Sequence, residues 1–424
     1  MPAWALPIFL FALLLILLSV GDLLFLAVSA LRERHLQTPP GRHRLREDDF
    51  LWVFLVPALN EEVTIADSVE RLGRVRVSNK VILVINDGSE DRTGEILAGL
   101  DVPELRVLTR TLPEARQGKS EALNQAWCYL HREVLVEPKW ADWPTDRVLV
   151  GIVDADGRLD EEVGRLAAHF ADPKLAGIQC LVRMYNRDSI LTYCQDLEFA
   201  IFGSLFQLGR ARHGVANMGG NGQVNRLAAL DELVEEGQTG PWRAARLTED
   251  QDIGLRLIER GWYGAQSLSV AVHQQALHSL RALYRQRTRW AQGAWQSLSH
   301  LSTVRTNRHL RLVDRLDQVA YLLTPFIQAV VGVSLVLSVI FLLTGTVTIQ
   351  VSLVPVVLFV VFSFGPGIIG LLVSRRGTSV FKTIWLALLY LGYTWLIYPV
   401  VFQGLWRELR GHRTWAKTAR EQLT

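Results

Sequence analysis

The sequence predicts an α/β domain built on a mainly parallel sheet and flanked by transmembrane helices. Two features predict it. Charge withdraws from long stretches at both ends of the chain, and between those ends short β-rich runs alternate with helical ones. The averages over 424 residues hide this division: 49% are hydrophobic, 21% are charged, and the formal net charge is +3. Uncharged stretches of this length exclude a wholly soluble protein, a disordered chain and a collagen-like chain.

At the N-terminus, Met1 to Leu31 carries Asp22 as its single charge. A spanning helix needs about 20 apolar residues, and Trp4 to Leu31 supplies them once. Val28-Ser29-Ala30 resembles a signal-peptide cleavage site, but the segment lacks a basic leader and its apolar core is too long, so a retained span is expected. Gln318 to Ser374 contains no charged residue and accommodates two spans, with a break near Gly345–Gln350; Thr383 to Trp406 makes a further one. Arg32, Arg34, Arg42, Arg44 and Arg46 follow the first span, and Arg305, Arg308, Arg311 and Arg315 precede the second. Basic residues gather on the cytoplasmic side of spans, so the region between them is expected in the cytoplasm. Arg375, Arg376 and Lys382 agree with that orientation, whereas four spans would put the basic tail (Arg407, Arg410, Arg413, Lys417, Arg420) outside. Either one apolar segment is re-entrant or interfacial, or the tail breaks the rule. The division expected is a span over 1–31, a cytoplasmic α/β domain over 45–278, an interface helix over 279–310, about three spans over 318–406 and a tail over 407–424. Cys128, Cys180 and Cys194 have no metal-ligand or CxxC spacing, which suits a reducing compartment. The basic residues line membrane edges, so nucleic acid is not an expected partner.

In the middle region the strand-like runs are Phe50–Pro57, Val81–Asn86, Leu105–Thr109, Val148–Val153 and Leu175–Val182. Helical stretches follow at Glu61–Gly73, Ser89–Leu100, Ser120–His131 and Asp160–Phe170. Ligands of such sheets bind beyond the carboxyl ends of the strands, so the residues after each run are the informative ones. The first run ends in Pro57-Ala58-Leu59-Asn60-Glu61-Glu62, the second in Asn86-Asp87-Gly88-Ser89, the fourth in Asp154-Ala155-Asp156. Asp-Gly is an ordinary turn signal and Ser89 an ordinary helix cap. Asp154 and Asp156 alternate at strand spacing, which aims both carboxylates to one side. A hard divalent cation that keeps waters and takes phosphate oxygens suits such a pair. Lys119 sits at a helix start, where an anion can bind, or is simply an exposed loop lysine. Neither GxGxxG after a strand nor GxxxxGK[ST] occurs, which disfavours a dinucleotide fold and a P-loop.

Three elements remain. Gly219-Gly220-Asn221-Gly222-Gln223 reads as a flexible polar loop that lets backbone approach a ligand. Thr248-Glu249-Asp250-Gln251 opens a helix to about Arg260 with capping-box spacing, and a capped helix start is also a rigid mount for a carboxylate. Gln286-Arg287-Thr288-Arg289-Trp290 lies in an amphipathic, arginine-rich helix from Ser279 to Leu301 that suits a membrane interface.

Assembled, these residues resemble a membrane-bound family 2 glycosyltransferase, the group of cellulose, hyaluronan and poly-N-acetylglucosamine synthases and some glycolipid synthases. The resemblance covers Leu51 to Leu301 through PxxNEE (Pro57–Glu62), NDGSxDxT (Asn86–Thr93), GKxxALN (Gly118–Asn124), DAD (Asp154–Asp156), TED (Thr248–Asp250) and QxxRW (Gln286–Trp290). It implies a GT-A type glycosyltransferase domain and an inverting single displacement. By that resemblance Pro57, Asn60, Glu61, Asp87, Lys119 and Asp154 lie around the nucleotide sugar, and Asp156 ligates Mg²⁺ or Mn²⁺. Asp250 is then the general base, and Glu249, Gln286, Arg289 and Trp290 flank the diphosphate and acceptor. The implied donor is UDP-glucose or UDP-N-acetylglucosamine. The acceptor is a growing β-linked polysaccharide, which would bring accessory export subunits, or else a membrane lipid such as diacylglycerol. The glycine loop departs from the Cys- or Ser-bearing loops of cellulose and hyaluronan synthases, and the readable spans are few, which keeps the lipid in view. A non-catalytic membrane scaffold would show erosion at the metal or base positions, and Asp156, Asp250, Gln286, Arg289 and Trp290 are all present.

Overall fold

A computed structural model describes residues 4–34, 45–346 and 380–412. Among the described residues eight strands form one mixed sheet: β1 (Leu51–Ala58), β2 (Lys80–Asp87), β3 (Leu105–Arg110), β4 (Val148–Ile152), β5 (Arg158–Leu159), β6 (Leu175–Met184), β7 (Gln223–Arg226) and β8 (Tyr263–Gln274). Their order is β3-β2-β1-β4-β7-β6-β8-β5. Pairs β3/β2, β2/β1, β1/β4 and β6/β8 are parallel, while β7 runs antiparallel to both its neighbours and β5 to β8. Strands β1, β2 and β4 are covered on both faces, while β3 is a half-exposed edge. Trp52, Phe54 and Val56 pack with Ile65, Val69 and Leu72 on one side, and Leu51, Val53 and Leu55 with Ala122, Leu123 and Ala126 on the other. Strands buried on both faces are continuous apolar runs, which is why these were legible. The polar β7 and the mixed β8 were not among the expected strands. The expected Asp160–Phe170 helix is a series of 3₁₀ turns, Glu161–Ala171, kinked at Glu162.

Among the described residues, three helical stretches are long and apolar enough to cross a membrane: Ala5–Glu33, Leu312–Leu343 and Leu388–Leu409. The second ends at Gly345, whose φ of 66° terminates it within the expected break. The span expected after that break lies largely outside the described residues. The last of these stretches is interrupted by a turn at Trp395-Leu396, so that the segment consists of two helices, Val380–Thr394 and Ile397–Leu409. Pro399 lacks the N–H that a continuous helix would offer to the Trp395 carbonyl, which accounts for the break before it.

The sheet domain is fastened to the membrane helices by buried contacts. Gly209 lets Leu26 of the N-terminal helix approach so closely that a Cβ would stand 2.5 Å from its carbonyl oxygen. Arg210 makes a bidentate bond to Asp317 of the Leu312–Leu343 helix at 2.9–3.1 Å, both side chains being buried.

Candidate active site

Beyond the carboxyl ends of β1, β2 and β4 a cavity of about 460 Å³ runs from the sheet to the membrane helices. Pro57, Glu61, Asp87, Lys119, Asp154 and Asp156 line its sheet end, and Glu249, Asp250, Gln286, Arg289 and Trp290 its middle. Leu322, Thr324, Pro325, Gln328, Ile397 and Val401 line the membrane end. Every candidate residue named from the sequence except Asn60 is on this wall.

Asn60 lies instead in a seam between the first two strand-end loops. Its N–H donates to Ser89 Oγ at 2.9 Å, and its Oδ1 accepts from Glu90 N at 2.8 Å. Glu61 N donates to Thr93 Oγ1 at 2.7 Å, and Glu62 exchanges bonds with Asp91 and Arg92 across the same seam. Several residues of the two motifs therefore lace the loops together, leaving Glu61 and Asp87 to face the cavity. Asp87 accepts from Arg110 Nη1 at 2.5 Å and from Arg116 N at 3.1 Å, with Asp87 and Arg110 both buried.

Asp154 and Asp156 do not alternate along a strand, because β4 ends at Ile152 and Asp154 starts a turn closed by Gly157 N at 2.6 Å. Both still reach the cavity wall. Asp156 Oδ2 accepts from Gln275 N at 3.0 Å. Lys119 Nζ binds Asp154 Oδ1 at 2.7 Å and Glu249 Oε1 at 3.3 Å, joining the DAD turn to the TED turn. Burial works against its charge, but Asp154 and Glu249 hold its pKa above the ordinary value. Lys119 is thus a linker of acidic groups rather than an exposed loop lysine. Among the described residues no three His, Cys, Asp or Glu side chains cluster as a closed metal cage. A donor set of one or two carboxylates fits a hard cation completed by waters and phosphate oxygens.

The glycine loop is pinned rather than flexible. The Gln179 carboxamide accepts from Gly219 N at 2.8 Å and donates to Asn221 O at 2.7 Å. The buried Asn221 side chain accepts from Asp154 N at 3.1 Å and donates to Gln274 Oε1 at 2.9 Å. Gln223 already belongs to β7.

Asp250 stands at the start of the Glu249–Glu259 helix. The expected capping box does not form. Thr248 makes no cap bond and instead donates to Gln251 Oε1 at 3.3 Å, while Gln251 N donates to Asp250 Oδ1 at 2.9 Å. Burial pushes the Asp250 carboxyl up to about 7, with Glu249 adding to the rise and Lys119 and Arg289 opposing it. Arg289 Nη1 donates to Leu247 O at 3.3 Å, holding the QxxRW helix (Leu280–Ser297) on this turn. Gly293 permits that contact, since a Cβ there would lie 2.4 Å from Thr248 Oγ1. Trp290 packs edge-on against Phe199 at 5.9 Å, with the Arg287 guanidinium 4.1 Å from its ring centroid. Buried Arg287 also pairs with Glu198 at 2.6 Å, and Tyr393 donates to the same carboxylate at 2.6 Å.

Sequence reasoning passed over Arg110, Glu198, Phe199, Phe202 and Tyr321. Of these, Arg110 carried the one usable signal, a cation placed directly at a strand end.

The pattern of Glycosyl transferase family group 2 matches residues 149–400, and that of Glycosyl transferase family 2 matches residues 53–232. The chain is 29% identical over 248 residues to a β-monoglucosyldiacylglycerol synthase of Synechocystis sp., covering 57% of this chain and 47% of that one. It is 27% identical over 281 residues to a poly-β-1,6-N-acetyl-D-glucosamine synthase of Staphylococcus aureus, covering 65% and 62%. The chain thus spans about half to three fifths of the length of the curated relatives it matches. Among solved structures, a mannosyltransferase from Pyrobaculum calidifontis in complex with GDP-Man and Mn²⁺ superposes with a TM-score of 0.57 at 16% identity, covering 95% of this chain and 99% of that one. That likeness shows the GT-A type fold.

Proposed function

Because the chain belongs to glycosyl transferase family group 2, we propose that it moves a hexose or N-acetylhexosamine from a UDP-sugar to the hydroxyl of a membrane lipid, with inversion. The observation that carries this reading is that one continuous cavity has carboxylates at one end, apolar membrane-helix residues at the other, and Asp250 between them. A nucleotide diphosphate suits the first end, where Glu61 and Asp87 would meet the nucleoside. A lipid hydroxyl, brought in with its apolar chain against Leu322, Pro325, Ile397 and Val401, suits the second.

In the reaction, Asp250 takes the proton of the acceptor hydroxyl as that oxygen bonds to the anomeric carbon. The bond from that carbon to the diphosphate oxygen breaks, and its electron pair leaves with UDP. One carboxylate base and no protein nucleophile give inversion, hence a β-linkage from an α-linked donor. The proton becomes acidic only as the new bond forms, so a carboxylate within hydrogen-bond reach suffices. Mg²⁺ or Mn²⁺, held by Asp156, would offset the charge that builds on the leaving diphosphate. Arg289, beside the TED turn, would add a fixed positive charge where water is partly excluded.

The lipid is preferred over the polysaccharide, which the sequence had put slightly ahead, because the membrane end of the cavity is walled mainly by aliphatic side chains. The polysaccharide reading keeps one support, the aromatic pair Trp290 and Phe199 against which a sugar ring could stack. Purified protein in diacylglycerol-containing vesicles with Mn²⁺ and labelled UDP-glucose or UDP-N-acetylglucosamine separates the two. The expected product by mass is a lipid bearing one or a few sugars. A long water-soluble polymer would overturn the lipid reading, and hydrolysis alone would overturn both.

The catalytic domain is read as cytoplasmic, with the C-terminal tail on the same side. Support comes from the Ile397–Leu409 helix, which runs alongside the QxxRW helix rather than away from it. Tyr284 bonds Pro399 O, Trp295 bonds Val401 O, and Gln292 and Gln296 both donate to Glu408 at 3.0 Å. Gly404 lies so close that a Cβ would stand 2.8 Å from Gln292 N. This segment is then interfacial, which removes the conflict between the basic tail and an outside location. With Cys128 changed to Ser, an Arg410→Cys variant should react with a membrane-impermeant maleimide in inverted vesicles and not in intact cells. The opposite pattern would put the tail outside.

A further inference from the structure

The base sits on a helix start that has no cap. A helix leaves its first N–H groups without intrahelical partners, and a side-chain cap ordinarily takes one and fixes the turn. Here Thr248 makes no cap bond, and the Gln251 N–H goes to the carboxylate of Asp250 itself. The orientation of Asp250 therefore depends on where Gln251 is held. The Gln251 carboxamide is anchored on both atoms. Its Nε2 donates to the Tyr321 hydroxyl at 3.0 Å, and its Oε1 accepts from Ser297 Oγ at 2.9 Å. Tyr321 belongs to the membrane-crossing Leu312–Leu343 helix and lines the cavity. Its ring is held in turn, 4.6 Å from the Arg210 guanidinium that pairs with Asp317 one turn earlier on the same helix.

We propose that Gln251 and Tyr321 are positioning residues for Asp250, tying the orientation of the base to the membrane helix that walls the acceptor end of the cavity. The inference rests on Asp250 being the base and adds to it the means by which the membrane side acts on that base. A hydroxyl placed on the cavity wall and bonded to the residue next to the base would feel displacement of this helix by an acceptor.

The test is a double-mutant cycle on the full-length protein in vesicles, with Tyr321→Phe, Gln251→Leu and both together, read as kcat, donor KM and the pH dependence of kcat. Tyr321→Phe keeps the ring against Arg210 and removes only the hydroxyl. Each single change should lower kcat roughly tenfold, the order expected for one lost hydrogen bond in the site, with donor KM unchanged. The acid limb of the profile should move to higher pH, because the Gln251 N–H that helps keep the Asp250 carboxylate ionised is loosened. The double variant should be no worse than the poorer single one, because both remove the same link. Wild-type kcat and pH profile in Tyr321→Phe, or effects that multiply in the double variant, would overturn the proposal. If Gln251→Leu does not fold, Tyr321→Phe alone decides. Asp250→Asn is run beside them. Turnover retained there removes the reading of the base, whereas an inactive Asp250→Asn with an unaltered Tyr321→Phe removes only the link.

Discussion

An Asp250→Asn variant is expected to transfer sugar about 10²–10⁴ times more slowly than the wild type, the usual contribution of a positioned general base, while binding UDP within a few-fold of it. The substitution keeps the size of the side chain and an oxygen to accept from Gln251 N, so the turn has no reason to move. What the amide lacks is the ability to take the acceptor's proton. The end proposed for the nucleoside, at Glu61 and Asp87, lies on other loops. Transfer rates by product mass, set beside UDP affinity by calorimetry, check both halves, and transfer at wild-type rate would refute the assignment. The wild-type pH profile carries the same residue's signature. Burial and Glu249 raise the pKa of Asp250, while Lys119, the Gln251 N–H and Arg289 lower it, and the balance stands near 7. The base works as the ionised form, so the rate should be full above that pH and fall as pH drops through about 7, far above the ordinary carboxylate value of 3.8. That acid limb should be missing from whatever activity the asparagine variant retains.

The parts of this molecule legible in sequence were those where one physical demand acts on neighbouring residues. Strands β1, β2 and β4 are buried on both faces, so their residues are almost all apolar and the polar residues after them stand out. The membrane segments are legible for the same reason. Strands β7 and β8 were not, because their environment is assembled from distant pieces. Gln223 and Asn225 of β7 are fully buried within a sheet that only the completed fold creates, and on sequence Gln223 reads as the end of a polar loop. The site divides likewise. Asp87, Asp156 and Asp250 follow from motifs, whereas Tyr321 and Phe199 enter the cavity through helix packing that no local pattern announces. Asn60 shows the reverse. It belongs to a motif that frames the site, yet its side chain laces two loops together and does not line the cavity. The capping box failed on a related ground. The spacing was right, but Gln251 had stronger calls on its carboxamide from Ser297 and Tyr321.

The second large effect is expected from a residue with no side chain. Gly220 has φ of +79°, and a Cβ placed on it would lie 2.9 Å from Asp250 Oδ2. Gly220→Ala therefore brings two penalties. An alanine in the left-handed region destabilises the fold by about 1–2 kcal/mol, and the new methyl group must displace the carboxylate or retreat from it. Retreat is blocked, because Gln179 bonds both Gly219 N and Asn221 O, and Asn221 in turn bonds Asp154 N. The displacement therefore goes into Asp250, and a misplacement on the order of 1 Å in a reacting group costs about 10²-fold in rate. A control isolates the second penalty from the first. Gly237 has φ of +81° with nothing within 4 Å of its Cβ position, so Gly237→Ala carries the backbone strain alone. Thermal unfolding should show a similar loss of stability in the two variants, and the transfer assay should show a loss of rate of roughly 10²-fold only in Gly220→Ala. Equal rates in the two would mean that the loop gives way and that the carboxylate does not need the space this glycine leaves.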